Sequence, residues 1–343
     1  MNKTLENSMH GISSNVNLCR FICAALVILC HAYPLTYNST DAMLRFTNGQ
    51  CSFGGLAVAV LFFFSGLYVT KSMTRRSGTG EYMKARCIRL FPPLIFVVLL
   101  CVFVIGPVCT ELSAGSYFGD ISTYIYLLNG IMIPVHNLPG VFTQSVYAPT
   151  VNGSLWTMSI EFACYIALLV FYKIYCRLGK KKSCLAVFAA VIAAGCAGIY
   201  VLTNRIPALS IFSAAVMPVL SFFIGAAYYI GREKVRLDWR LGLAGIIVLV
   251  LSAKTPLFNI ILLLVMPYAV LSLTLGTKQI LQNLKLLELS YEMYLLGWPI
   301  QQILICNLNI GTSPWTNFII ALPVDILISW LVFQIAEKPF RKK

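Results

Sequence analysis

About ten apolar runs, most of them close to 20 residues long, separate short basic clusters along this chain of 343 residues. That alternation leaves few folds open. A bilayer's hydrocarbon core is roughly 30 Å thick, which about 20 residues of helix cross at about 1.5 Å per residue. Inside lipid no water satisfies backbone N–H and C=O groups, so each crossing segment must form its own hydrogen bonds. The expected fold is therefore an all-α polytopic membrane protein of one membrane-embedded domain, 1–343, with no appended soluble domain. The candidate spans are 16–35, 53–72, 90–108, 154–176, 184–203, 208–231, 240–253, 257–276, 287–307 and 315–336. The seventh is short. The segment 120–136 is apolar but interrupted by Asn129 and Pro134, and reads as a re-entrant piece. Composition agrees: 59% of residues are hydrophobic and 11% charged, against about 25% charged in soluble domains.

The formal net charge is +14. Its placement argues against nucleic acid. With the N-terminus in the cytoplasm and ten spans threaded, the inner loops hold Arg75, Arg76, Lys84, Arg86 and Arg89, then Lys173, Arg177 and Lys180 to Lys182, then Arg232, Lys234, Arg236 and Arg240, then Lys278 and Lys285. The tail Lys338, Arg341, Lys342 and Lys343 falls inside too, and only Arg45, Arg205 and Lys254 fall outside. This is the positive-inside pattern of a multi-pass protein of the cell (inner, cytoplasmic) membrane with both termini in the cytoplasm. The loop 109–153 carries no Lys or Arg and is assigned to the outside. The 12 cysteines lie largely in apolar runs and read as small packing residues, with no zinc spacing and no structural disulfide expected. Met1 to Asn15 is polar, unlike a cleavable signal.

Ionisable side chains within spans are costly and point to function. The first span carries Arg20 and His31. Eleven residues at about 100° each bring them within about 20° of one face, about 16 Å apart along the axis. Alone, Arg20 could snorkel and His31 could be a hydrogen-bonded core residue; together they form a stripe from the cytoplasmic surface to the outer half of the bilayer. Ser65-Gly66, in an aromatic run, permits close helix approach. Arg86 and Arg89, at i and i+3, share a helix face and suit a polyphosphate, although ordinary positive-inside charge explains an isolated pair equally well. Glu161 lies about two turns into its span from the outer side, near the depth of His31, where a carboxylate can orient an imidazole or simply bond a neighbouring helix.

Arg20-X10-His31, Phe62-X-X-Ser65-Gly66, Arg86-X-X-Arg89 before Leu90-Phe91-Pro92, Leu155-Trp156-Thr157-Met158-Ser159-Ile160-Glu161, Ser290-Tyr291-Glu292-Met293-Tyr294-Leu295 and the terminal Glu337-Lys338-Pro339-Phe340-Arg341 occur in that order. The ordered set resembles the acyltransferase-3 family of membrane O-acyltransferases over nearly the whole chain. The resemblance implies an acyl-CoA donor, usually acetyl-CoA, entering from the cytoplasm, no metal, and a hydroxyl acceptor on a surface glycan or lipid-linked glycan. It implies that Arg20, Arg86 and Arg89 hold the CoA phosphates, that His31 is the catalytic base or transient acyl carrier, and that Ser65 lines the acyl path. Glu161 joins His31 as the second catalytic candidate. One departure stands out. The family often reads Tyr-Leu-x-His-x-Pro where this chain has Tyr294-Leu295-Leu296-Gly297-Trp298-Pro299. Asp325, in the last span, reads as a satisfied interior carboxylate or as part of an acceptor site, and His136, in the outer loop, as a solvated loop histidine or as an acceptor contact. A secondary transporter or flippase would also use intramembrane Arg20, His31, Glu161 and Asp325, but the matched broken helices typical of carriers are not visible.

Overall fold

The structure is a computed structural model that describes residues 3–9, 13–37, 39–76, 78–179, 189–190, 192–195, 197–198, 210–282 and 284–341. It is mostly helical. In chain order the main elements are β1 (Lys3–Thr4), α1 (Ser14–Tyr37), α2 (Phe53–Arg75), α3 (Thr79–Cys109), α4 (Trp156–Arg177), α5 (Ser210–Ile230), β2 (Arg236–Leu237), α6 (Trp239–Ser252), α7 (Phe258–Thr274), α8 (Ser290–Gln302) and α9 (Pro314–Phe340). Five helices, α1, α2, α3, α4 and α9, are long and apolar enough to cross a membrane. α6 and α7 are shorter apolar helices, and α8 continues into a π turn, Ile303–Asn307. Ten full-length spans are therefore not what the described residues display, and most of the expected span 184–203 lies outside them.

α3 begins at Thr79, eleven residues before the expected span start at 90, so Lys84, Arg86 and Arg89 lie on the helix ahead of its apolar run, as the shared face of the two arginines requires. Pro92 and Pro93 do not end it, as is common where neighbouring groups satisfy the freed backbone. Beside the helices, β1 and β2 form a two-residue antiparallel ladder, Lys3 opposite Leu237 and Thr4 opposite Arg236. The segment 120–136 is a short helix, Ile121–Ile125, followed by a 3-10 turn, Tyr126–Ile131. Asn129 closes the reversal there. Its Nδ2 donates to the carbonyls of Tyr126 and Val135, and its Oδ1 accepts from the Val135 N–H.

The chain divides into two compact units, each assembled from separated segments: Met1–Gly11, Val58–Met83 and Ile160–Lys278 form one, and Ile12–Ala57, Lys84–Ser159 and Gln279–Lys343 the other. In the first, α2 and α5 meet at two glycines. A Cβ at Gly66 would collide with the Phe222 carbonyl, and one at Gly225 with the Phe63 carbonyl. The Ser65-Gly66 pair is thus the close-approach notch its composition suggests. The N-terminal segment is pinned to the turn after α5 by the β ladder, by the Leu5 N–H to the Val235 carbonyl, and by the Arg232–Glu6 ion pair at 3.5 Å.

In the second unit α1, α8 and α9 pack against one another. The α1–α8 contact is close at Gly297, where a Cβ would lie 2.8 Å from Ile28 Cγ1. Gln301 ties all three helices together: its Nε2 donates to the Ile28 carbonyl at 2.9 Å and to Asn317 Oδ1 at 2.7 Å. The first turn of α1 is capped by Gln279, whose Oε1 accepts from Ser14 Oγ and the Asn15 N–H.

Candidate active site

α1 supplies Arg20 and His31, and α3 supplies Arg86 and Arg89. All four lie in the second compact unit and all four are half-buried. α1 is one helix through Arg20, His31 and Pro34, so the spacing of Arg20 and His31 is that of an α-helix.

His31 sits edge-on to Trp298 of α8, with ring centroids 4.8 Å apart at 70°. Its Nδ1 is buried and, among the described residues, has no hydrogen-bond partner. An imidazole nitrogen uncommitted to the protein can take or give a proton to a bound molecule. Trp298 in turn is fixed on several sides. Its Nε1 donates to the Thr150 carbonyl at 3.0 Å, Tyr147 packs on it at 5.7 Å, and Gly153 leaves the room its ring needs, since a Cβ there would lie 2.8 Å from the indole. Two neighbours fasten the same loop to α8. Asn152 Nδ2 donates to the Leu295 carbonyl at 2.7 Å, and Gln302 Nε2 donates to Ser145 Oγ and the Thr150 carbonyl. The segment 145–153 is therefore a wall built against the helix that carries Trp298.

Arg86 and Arg89 are on one face of α3, one helical turn apart. α8 is anchored beside them, since Tyr291 Oη donates to the Leu90 carbonyl at 2.8 Å. Two guanidiniums at this spacing offer paired forks for phosphate oxygens.

Glu161 and Ser65 belong to the first unit. Ser65 Oγ donates to Glu161 Oε1 at 2.5 Å, Tyr165 Oη donates to the same oxygen at 2.6 Å, and the two hydroxyls are 3.0 Å apart. Ser65 is thus tied to a carboxylate as well as flanking a packing glycine. Tyr165 was not singled out from the sequence, although it lies four residues after Glu161 and so on the same helix face. Trp298 likewise leaves no mark in the sequence, because its place against His31 depends on how α1 and α8 pack. Asp325 is fully buried. Ser329 Oγ donates to its Oδ1 at 3.4 Å, while Oδ2 has no partner among the described residues. His136 is half-buried, and its carbonyl accepts from the Val151 N–H at 2.8 Å, which makes it part of the framework of the segment between α3 and α4.

The acyltransferase domain of the acyltransferase-3 family matches residues 13–334. An O-acetyl transferase of Shigella phage Sf6 is 24% identical over 331 residues, covering 94% of each chain. Nodulation protein 10 of Rhizobium leguminosarum bv. viciae is 26% identical over 193 residues, 53% of this chain and 50% of that protein. No solved structure matches significantly.

Proposed function

The chain belongs to the acyltransferase-3 family and is a membrane O-acyltransferase, and on that premise we propose that it moves an acetyl group from acetyl-CoA, bound from the cytoplasm, to a hydroxyl of an extracytoplasmic or lipid-linked glycan. The observation that carries this reading is the sharing of one compact unit by Arg20, Arg86, Arg89 and His31. That unit combines cations suited to the donor's phosphates with an imidazole whose Nδ1 is uncommitted.

In the direct route, His31 takes the proton of the acceptor hydroxyl as its oxygen attacks the thioester carbonyl. The C–O bond forms, the C–S bond breaks, and the CoA thiolate leaves and receives a proton. In the two-step route the imidazole attacks first and carries the acetyl group to the hydroxyl. In both, Arg20, Arg86 and Arg89 bind the donor and hold its thioester in reach, which supplies the orientation part of the rate. Ser65 borders the acyl path. Glu161 is the second acid–base candidate, with Oε1 held by two hydroxyls.

A location in the inner membrane with both termini in the cytoplasm fits the charge distribution. The ladder between Lys3–Thr4 and Arg236–Leu237 supports it, because it joins two segments assigned to the same side. Membranes containing the protein, incubated with acetyl-labelled acetyl-CoA and candidate glycans, test the function. Label in glycan hydroxyl esters is the expected result. Label retained on CoA with every acceptor class, from protein shown to be folded, would contradict it.

A further inference from the structure

Tyr147 has no part in the chemistry above, yet it is the exposed end of a row of rings that begins at His31. Trp298 of α8 meets the imidazole with centroids 4.8 Å apart, and Tyr147 meets Trp298 at 5.7 Å, both edge-to-face. Trp298 is 5% exposed and offers almost no surface, whereas Tyr147 is 51% exposed. The two distances keep the Tyr147 ring within about the length of a disaccharide of the imidazole.

An exposed ring on a connecting segment is ordinarily mobile. This one is held. Gln302 is fully buried at the end of α8, and its Nε2 reaches Ser145 Oγ at 3.1 Å, the Thr150 carbonyl at 3.2 Å and the Ala148 carbonyl at 3.4 Å. One side chain thereby fastens the chain on both sides of Tyr147. Turns close before and after the ring: the Ser145 N–H donates to the Phe142 carbonyl at 3.0 Å, and the Thr150 N–H to the Ala148 carbonyl at 2.7 Å. Tyrosine loses little freedom when a ligand settles on it, and less when its backbone is already fixed. Polar groups stand on the same segment. Glu111 Oε1 accepts from Thr143 Oγ1 at 2.5 Å and from Gln144 Nε2 at 3.3 Å, and all three residues are exposed.

We propose that Tyr147 is the platform on which a pyranose ring of the acceptor rests, bringing a hydroxyl of that sugar or of its neighbour to His31. A pyranose has a face of C–H bonds and a rim of hydroxyls. The C–H face carries slight positive charge and packs on the negative face of an aromatic ring. The hydroxyls need acceptors and donors, which Glu111, Thr143 and Gln144 supply in kind. The proposal deepens the reading above and rests on the acceptor being a glycan. An aromatic ring at a bilayer surface can instead anchor a protein among lipid headgroups; that role is indifferent to the concentration of a water-soluble acceptor.

The test uses the full-length protein in detergent with labelled acetyl-CoA. The acceptor is a set of oligosaccharides cut from the surface polysaccharide of cells that carry the gene, after mild base has removed its acetyl groups. Y147A should raise KM for the oligosaccharide about tenfold or more, as loss of an aromatic contact predicts. Its kcat at saturating oligosaccharide and its affinity for unacylated coenzyme A, measured by calorimetry, should stay within about threefold of the parent. Y147W, which keeps an aromatic face, should restore most of the KM.

The parent protein tests the underlying reading separately. If it binds coenzyme A but acetylates none of the oligosaccharides, the glycan reading fails and the platform falls with it. If the parent is active and Y147A has a parental KM, the glycan reading stands and the platform is refuted. A Y147A protein that loses kcat with KM unchanged overturns it too, since Tyr147 then acts on His31 through Trp298 rather than on the sugar. So does a parallel loss of coenzyme A affinity, which means the change has spread to the donor site. If Y147A does not accumulate, Y147L, which keeps apolar bulk without an aromatic face, decides by the same three readouts.

Discussion

Gly297 faces Ile28 of α1, and its surroundings show what a side chain there must displace. A Cβ would lie 2.8 Å from Ile28 Cγ1 and 3.4 Å from its Cδ1. The nearer value is closer than carbon atoms approach in packed interiors. Ile28 has little freedom to yield, being 1% exposed and β-branched within a helix, where χ1 has essentially one rotamer. G297A must therefore move α8 away from α1, at about 1–3 kcal/mol for overpacking. The movement falls where it matters. Ile28 is one turn before His31, its carbonyl accepts the Gln301 bond, and Trp298, the next residue on α8, touches the His31 ring. G297A should lower the melting temperature of the purified protein by several degrees and reduce acetyl transfer more than that loss of folded protein explains. I28A alone should cost about 2–5 kcal/mol through the cavity it opens. In G297A/I28A the new methyl fills part of that cavity, so the two penalties should fall short of their sum by about 1 kcal/mol or more, within the usual coupling of touching residues. G297H should not regain a family-like site; it should fail to accumulate or be inactive. Strictly additive penalties, or a G297A protein with parental stability and activity, would refute the close α1–α8 contact.

Three further substitutions probe the surroundings. W298A removes the ring against His31 and the anchor to the Thr150 carbonyl; a tenfold or greater fall in transfer is expected, while W298F, which keeps the ring contact and loses one bond of about 1 kcal/mol, should fall only a few-fold. G66A and G225A each press a methyl into a backbone carbonyl, which cannot swing aside, so each should cost about 3 kcal/mol or more and show as reduced yield of detergent-extracted protein. Y165F and S65A each remove a hydroxyl donor from Glu161 Oε1, for about 1.5–3 kcal/mol; melting of the single and double variants should show non-additivity, because the two donors share one oxygen.

Much of this was legible in the sequence where the signal is local. The positions of α1, α2, α4 and α9 follow from apolar length, and the Arg20–His31 stripe from helical period, because neither depends on what packs outside the helix. The apolar run marks a span within α3 rather than the start of the helix, because charge ends a hydropathy run without ending a helix. The Ser65-Gly66 notch was readable as a notch, but its partner, Phe222, was not. Glu161 was readable as an intramembrane acid, and Tyr165 at i+4 was within reach of the same reasoning, whereas Ser65 lies 96 residues away. The bond from Gln301 to the Ile28 carbonyl and to Asn317 could not be read at all, since it depends on how α1, α8 and α9 pack.

The central claim is that His31 does the chemistry while the arginines of the same unit hold the donor. The most direct measurement compares His31→Ala with the parent in two assays on one preparation: coenzyme A affinity by calorimetry, and transfer of labelled acetyl groups to the glycan acceptor. The account predicts coenzyme A affinity within a few-fold of the parent and a loss of transfer of at least about a hundredfold, the usual scale for one acid–base group. A folded H31A protein that transfers acetyl groups at the parental rate would contradict it.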